Sequence, residues 1–206
     1  MDWNQYKVSV PVGVSGRAKV ERFTVPESSL ENLRIAMSGR LPCPPGEWTR
    51  IMEGGTLWMS DTPAEVVDHR GAMREIARRG GRVAINGLGI GVVLQAALKS
   101  LAVDEVDVVE RSADVIALVG PHYAAMAEDE GKRLTIHEAD ALTMRWPRGT
   151  HFSAVWHDIW PNITSDNLPT MGTLHRKYAR ITDWQDSWCR YECKRIQRQN
   201  RSTPWY

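Results

Sequence analysis

The chain has 206 residues, 42% of them hydrophobic and 25% charged, which is enough for one globular domain with an appendage and too little bias for a disordered or fibrous protein. Its net charge of +1 favours no partner by global electrostatics, although from His175 onward eight Lys/Arg stand against three Asp/Glu. No apolar run approaches the ~18 residues of a membrane span, no basic-then-apolar leader opens the chain, and three cysteines form no disulfide framework, so a cytoplasmic protein with no membrane partner is expected.

In chain order, residues 6–25 alternate, with Val8, Val10, Val12 and Val14 on one face and Val20, Phe23 and Val25 after a Ser15-Gly16 turn, which predicts a hairpin. Pro26 to Ser29 opens a helix to about Ser38, and Pro42 to Gly46 is a loop. Two short runs, Trp48–Met52 and Thr56–Met59, joined at Gly54-Gly55, predict a second hairpin. Asp61 or Thr62 caps a helix from Pro63 to about Arg79 that ends at Gly80-Gly81. From Arg82 the rhythm becomes strand and helix: β at 82–86, 105–110, 133–138 and 152–158, α at 90–101 and 112–127. Buried strands separated by amphipathic helices imply parallel βαβ units with helices on the sheet faces. After Ile159 the sequence predicts only helices, at 166–180 and 183–200. The organisation expected is an N-terminal hairpin and helix region (1–60), a core (61–163) and a basic, Trp-rich helical segment (164–206).

Within the core, Gly87, Gly89 and Gly91 form G-x-G-x-G between a strand and a helix. Such a turn lets a nucleotide approach the backbone and the free N–H groups of the helix. Glu110, nineteen residues past Gly91, closes the next apolar run, where an acid accepts both hydroxyls of a ribose. Together they point to an adenosine-type ligand; tight strand–helix packing is the competing role for the glycines, and helix capping the competing role for Asp140 and Asp158.

Over residues 47–163 the sequence resembles the S-adenosylmethionine-dependent methyltransferase fold, in its spermidine-synthase-like branch. Val83–Gly91 is similar to the glycine-rich first motif, with aliphatic Ile85 where other branches carry an acid. Val108–Ile116 resembles V-E-I-D-x-x-V-I, Ile136–Ala141 the segment that meets adenine, and Phe152–Pro161 the fourth-strand motif. The resemblance implies a Rossmann-like α/β fold with S-adenosylmethionine as ligand. It implies that Gly87, Gly89, Gly91, Glu110, Arg111, Asp140, Ala141, Asp158 and His69 contact it, with Asp158 also the catalytic candidate. Ala64–Arg70 lies over D-E-x-x-Y-H-E: Glu65 and His69 match, while Ala64, Asp68 and Arg70 replace the first Asp, the Tyr and the last Glu. These losses of acid, and Trp160 where D-x-x-D-P would carry its second Asp, disfavour aminopropyl transfer to a polyamine.

The fold expected is therefore a methyltransferase-type sheet shortened after its fourth parallel strand, in spatial order 3-2-1-4, with an apolar edge to be covered by the Trp-rich C-terminal helices, the N-terminal hairpins or, in a homodimer, a second subunit. The function expected is methyl transfer to an acceptor that the sequence does not name. The alternatives are a non-catalytic adenosylmethionine-binding or regulatory module, or a lyase using the same ligand. Cys189 and Cys193 with His175 lack the four-ligand spacing of a zinc site, and no metal is expected. His157 beside Asp158 points to the opposite face, which argues against a dyad. The C-terminal interleaving of Tyr178, Trp184, Trp188 and Tyr191 with Arg and Lys suits a nucleic-acid contact. The near-helical spacing of Ile181, Trp184, Trp188 and Tyr191 favours a core-facing stripe instead.

Overall fold

The computed structural model describes residues 3–27, 30, 32, 37 and 41–202; the helix expected from Pro26 to Ser38 falls largely outside the described residues. Two sheets make up the molecule. The first is an antiparallel meander of β1 (Gly13–Ser15), β2 (Ala18–Val25), β3 (Gly46–Glu53) and β4 (Thr56–Ser60), in the order β1-β2-β3-β4. The β3–β4 hairpin turns at Gly54-Gly55 as the sequence indicates. The first hairpin is shorter than expected. Val8 and Val10 are buried ahead of β1, whereas Val12 and Val14 are 60% and 69% exposed, so the four valines do not share one buried face.

Asp61 does not cap the following helix, α1 (Pro63–Arg79), whose N-cap is Thr62. It is buried instead, accepting the backbone N–H of Thr49 at 2.6 Å and of Val8 at 3.1 Å, which ties the N-terminal segment to β3. Burial pushes its carboxyl above the usual range while those two N–H bonds pull it back.

The second sheet is parallel, and its central strands are Val-containing apolar runs that need cover on both faces. It comprises β5 (Gly81–Asn86), β6 (Val103–Glu110), β7 (Arg133–Glu138), β8 (Ala154–His157) and β9 (Gln185–Ser187), in the order β7-β6-β5-β8-β9. The helices are α2 (Val92–Lys99), α3 (Ala113–Asp129), α4 (Leu168–Tyr178) and α5 (Arg190–Ser202). Trp156 meets His69 of α1, whereas its neighbour His157 meets Tyr178 and His175 of α4, so α1 and α4 cover opposite faces. This is the α/β Rossmann-like arrangement expected.

The sheet does not stop at its fourth strand. β9 pairs in parallel with β8, Val155 opposite Gln185 and His157 opposite Ser187, so the order is 3-2-1-4-5. Its three residues are polar and hold their place by side chains: Gln185 Oε1 lies 3.0 Å from His157 Nε2, and Gln185 Nε2 donates to the His175 carbonyl. The strand at 185–187 also breaks the helix expected over 183–200, and α5 starts only at Arg190, after Cys189 in the left-handed region (φ 48°). The stripe from Ile181 to Tyr191 is therefore not one helix face: Trp188 is buried and Tyr191 is 69% exposed. The edge beside β8 is thus covered by the C-terminal segment, one of the three covers expected for it.

The antiparallel sheet docks on α3. Asp114 accepts from Ser15 Oγ at 3.2 Å and from the Arg17 N–H at 3.0 Å, fixing the β1–β2 turn against the start of that helix. The meander is thereby held over the C-terminal ends of β5, β6, β7 and β8.

Candidate functional site

A parallel sheet leaves its crevice at the carboxyl ends of the strands, where the chain order reverses. Here that point lies between β5 and its neighbours β6 and β8, and a cleft of about 780 Å³, its mouth included, opens there. The floor comes from the segments following the strands: Gly87 and Gly89 after β5, Glu110 and Arg111 at β6, Asp140 and Ala141 after β7, and Asp158 and Trp160 after β8. The roof comes from the meander, through Ile51 and Glu53 of β3 and Trp58 and Met59 of β4. Seven of the nine residues named from the sequence line this cleft.

Glu110 is oriented by backbone. One oxygen accepts the Leu88 N–H within the glycine turn and the other the Ser112 N–H, both at 2.9 Å. A carboxylate offers about four lone-pair sites, so both oxygens keep capacity to accept from a ligand's hydroxyls. Ser112 also donates its hydroxyl to Glu53 Oε1 at 2.7 Å, and thus joins the floor carboxylate to the roof carboxylate. Arg111 lies over the Trp58 ring, 5.5 Å from its centroid. Asp140 accepts the Leu142 N–H at 2.7 Å, and Lys177 donates to the Ala141 carbonyl at 2.7 Å. The cleft wall carries four carboxylates (Glu53, Glu110, Asp140, Asp158) and one cation, Arg111.

Asp158 is the most deeply set of these acids, its side chain 8% exposed. Its carboxyl is held well above the usual range, first by burial and then by the charges of Glu65, Asp68 and Glu110. Its backbone is placed by the Asp158 N–H bond to the Asn86 carbonyl at 2.7 Å, and its carbonyl sits where a Cβ on Gly87 would stand, 1.9 Å away. Gly87 is therefore required for packing as well as for access.

Two of the nine residues lie elsewhere. Gly91 is the N-cap of α2 with φ 78°, and a Cβ there would come within 2.1 Å of the Tyr123 ring. It is a packing glycine behind the cleft wall. His69 belongs to the core-facing stripe of α1 (Val66, His69, Ala72, Ile76), is fully buried, and does not line the cleft. Among the described residues neither ring nitrogen has a hydrogen-bond partner; Nε2 is 3.6 Å from Asp158 Oδ2, too long for a bond, and burial pushes the imidazole down to about 3. His69 thus stands as a neutral ring behind Asp158.

His157 faces away from the cleft. Its Nδ1 is 2.7 Å from Asn86 Nδ2 and its Nε2 3.0 Å from Gln185 Oε1, so no dyad with Asp158 exists. Burial drives it, too, down to about 3. Arg70 lines a separate shallow groove between α1 and α2, with Arg74, Met73 and Lys99, so its replacement of an acid does not touch the cleft. Sequence reasoning missed Ile51, Glu53, Trp58, Met59, Ser112 and Trp160. No local pattern in the hairpin announces that it closes over a distant sheet.

No protein-family model and no curated protein matches the chain. Among solved structures it is similar to a spermidine synthase in complex with the transition-state analogue AdoDATO, at 13% identity over 81% of this chain and 51% of that one, with a TM-score of 0.46. It is also similar to the CcbJ methyltransferase from Streptomyces caelestis (19% identity, 53% of this chain and 44% of that one, TM-score 0.41). A third is StiE O-MT residues 942–1257 (15% identity, 58% and 38%, TM-score 0.42). The chain spans about half, or less, of the length of these proteins. The likeness is loose, and the functional reading stands on the cleft's own residues.

Proposed function

We propose that the cleft binds S-adenosylmethionine and that the protein is a methyltransferase. The observation that carries this reading is the convergence of four segments far apart in sequence, at Gly87, Glu110, Asp140 and Asp158, on one cleft at the carboxyl edge of the parallel sheet. The donor set suits the ligand. Glu110, pinned by two N–H groups, accepts from ribose hydroxyls. Asp140 and the Ala141 backbone flank an adenine, and the excess of carboxylates over cations suits a ligand bearing a sulfonium and an ammonium.

When bound, the sulfonium supplies an activated methyl group. The chain's own part is to align the acceptor with it, which gives most of the barrier reduction, and to exclude water under the Trp58–Met59 roof. Asp158, beside the switch point, is pushed toward its protonated form by burial and neighbouring carboxylates, and in that form it donates a hydrogen bond that orients a group. The expected result is that calorimetry detects binding of adenosylmethionine and adenosylhomocysteine. Glu110→Ala, which removes a charge-assisted acceptor pair, should weaken both by about 10- to 100-fold. A folded protein that binds neither overturns the reading. Binding without transfer of methyl label to any acceptor in a cell extract marks a non-catalytic binding module.

A further inference from the structure

Helix α5 has two unlike sides. Cys193 is fully buried, and the helix packs there on α4 and on the turn at Ser165–Asn167. On the other side stand Tyr191, Lys194, Arg195, Arg198 and Arg201, which at 100° per residue occupy an arc of roughly 120°. Tyr191, Arg195, Arg198 and Arg201 are exposed. Among the described residues, Lys194, Arg195, Arg198 and Arg201 enter no ion pair, unlike Arg78, Arg79, Arg82 and Arg133, which are all paired. Glu192 is the one acid within α5, against five Arg and Lys. The potential of this side reaches its neighbour: Arg190 and Lys194 add to burial in lowering His175.

We propose that this face of α5 binds a single-stranded nucleic acid, with the arginines on successive phosphates and Tyr191 stacked on an unpaired base. Unpaired cations at intervals of three and four residues match the repeated charge of a phosphodiester chain, and a 69% exposed aromatic ring among them is a stacking platform. A membrane surface fits less well, because the exposed face carries no large aliphatic residue to insert. A duplex fits less well because its bases are already stacked, and an acidic protein has no use for the exposed ring. The face is independent of the methyl-transfer reading and stands or falls without it.

The test is fluorescence anisotropy of the full chain with labelled oligouridine and oligothymidine of about 12 nucleotides, within the site sizes of single-strand binders. A duplex of equal length, polyglutamate and phosphatidylserine vesicles serve as competitors. Both single strands are expected to bind with a strong salt dependence, and the pair shows whether the ribose hydroxyl is read. Arg195→Ala with Arg198→Ala should reduce the slope of log Kd against log salt by about 1.4, at 0.7 per phosphate contact, while the two Arg→Lys changes leave it unchanged. Tyr191→Ala should weaken single-strand binding about tenfold, and Tyr191→Phe should not. All of these side chains are solvent-facing or partly so, and circular dichroism checks that each variant folds. The proposal is overturned if neither strand binds at low salt, if polyglutamate, duplex or vesicles compete as well as single strand, or if the Tyr191 and arginine variants bind as the parent does.

Discussion

His69 and Asp158 are two ionisable side chains whose neutral forms the fold favours. The histidine is driven down to about 3 by burial alone, and the acid is raised by burial and by three neighbouring carboxylates. The unfolded histidine titrates near 6.5, so the folded state binds fewer protons between about 6.5 and about 3. Stability is complete above 6.5 and falls as the pH drops through that window; His157, lowered to about 3, adds to the loss with the same sign. His69→Phe keeps a ring against Trp156 and removes two unpartnered nitrogens. It should be neutral or stabilising at pH 7, because an unsatisfied buried polar group costs roughly 1–3 kcal/mol. It should also flatten the acid limb by up to one proton's share of its slope, about 1.4 kcal/mol per pH unit, leaving the His157 share. Thermal unfolding from pH 8 to 4 measures both, and a marked loss of stability at pH 7 would show that the imidazole makes an interaction the geometry lacks. Asp158 has the opposite sign: its folded form favours the proton, so its ionisation opposes folding as the pH rises above the ordinary carboxylate range.

At the scale of elements, the glycine turn separates two roles that the sequence reads as one. Gly87 and Gly89 line the cleft, whereas Gly91 starts α2 in the left-handed region with the Tyr123 ring against it. Tyr123 is anchored at that same end, its hydroxyl donating to the Ile90 carbonyl at 2.8 Å, so the ring cannot swing away. Gly91→Ala should therefore cost about 1–3 kcal/mol from the backbone alone, and more from the clash, as read by urea unfolding. Ligand affinity per folded molecule should stay within about twofold. A tenfold loss of affinity in soluble, folded protein would return Gly91 to the cleft. β5, β6 and β8 were legible as apolar runs with turn signals on either side, and β7 by its place between helix and loop. Glu110, Asp140 and Asp158 were legible because each closes or follows one of these strands. β9 was not, because Gln185-Asp186-Ser187 is a polar edge strand placed by side-chain bonds to His157 and His175. Asp61 and Thr62 both read as caps before Pro63; Thr62 holds that position, and the Asp61 carboxylate serves two backbone donors from β3 and the N-terminal segment.

At the scale of the whole molecule, the cleft exists only because two sheets meet. Ile51, Glu53, Trp58 and Met59 belong to an antiparallel meander with no part in the Rossmann-like pattern, and no sequence period marks them as ligand-facing. Their placement depends on contacts between remote positions: Asp114 on the β1–β2 turn, Ser112 between Glu53 and Glu110, and Met59 against Gly89. A ligand held in the cleft must touch both sheets, so its binding energy couples them. At 100 times its Kd such a ligand stabilises the folded state by about 2.7 kcal/mol. If it bridges roof and floor, that gain should appear as slower amide hydrogen exchange in β3 and β4 as well as in the turn after β5. Exchange measured by mass spectrometry with and without saturating adenosylhomocysteine tests this, and Trp58→Ala should reduce protection of the hairpin more than protection of the turn. Protection confined to residues 86–92 and 108–112 would mean that the ligand rests on the parallel sheet alone, with the meander serving as a cover that it does not touch.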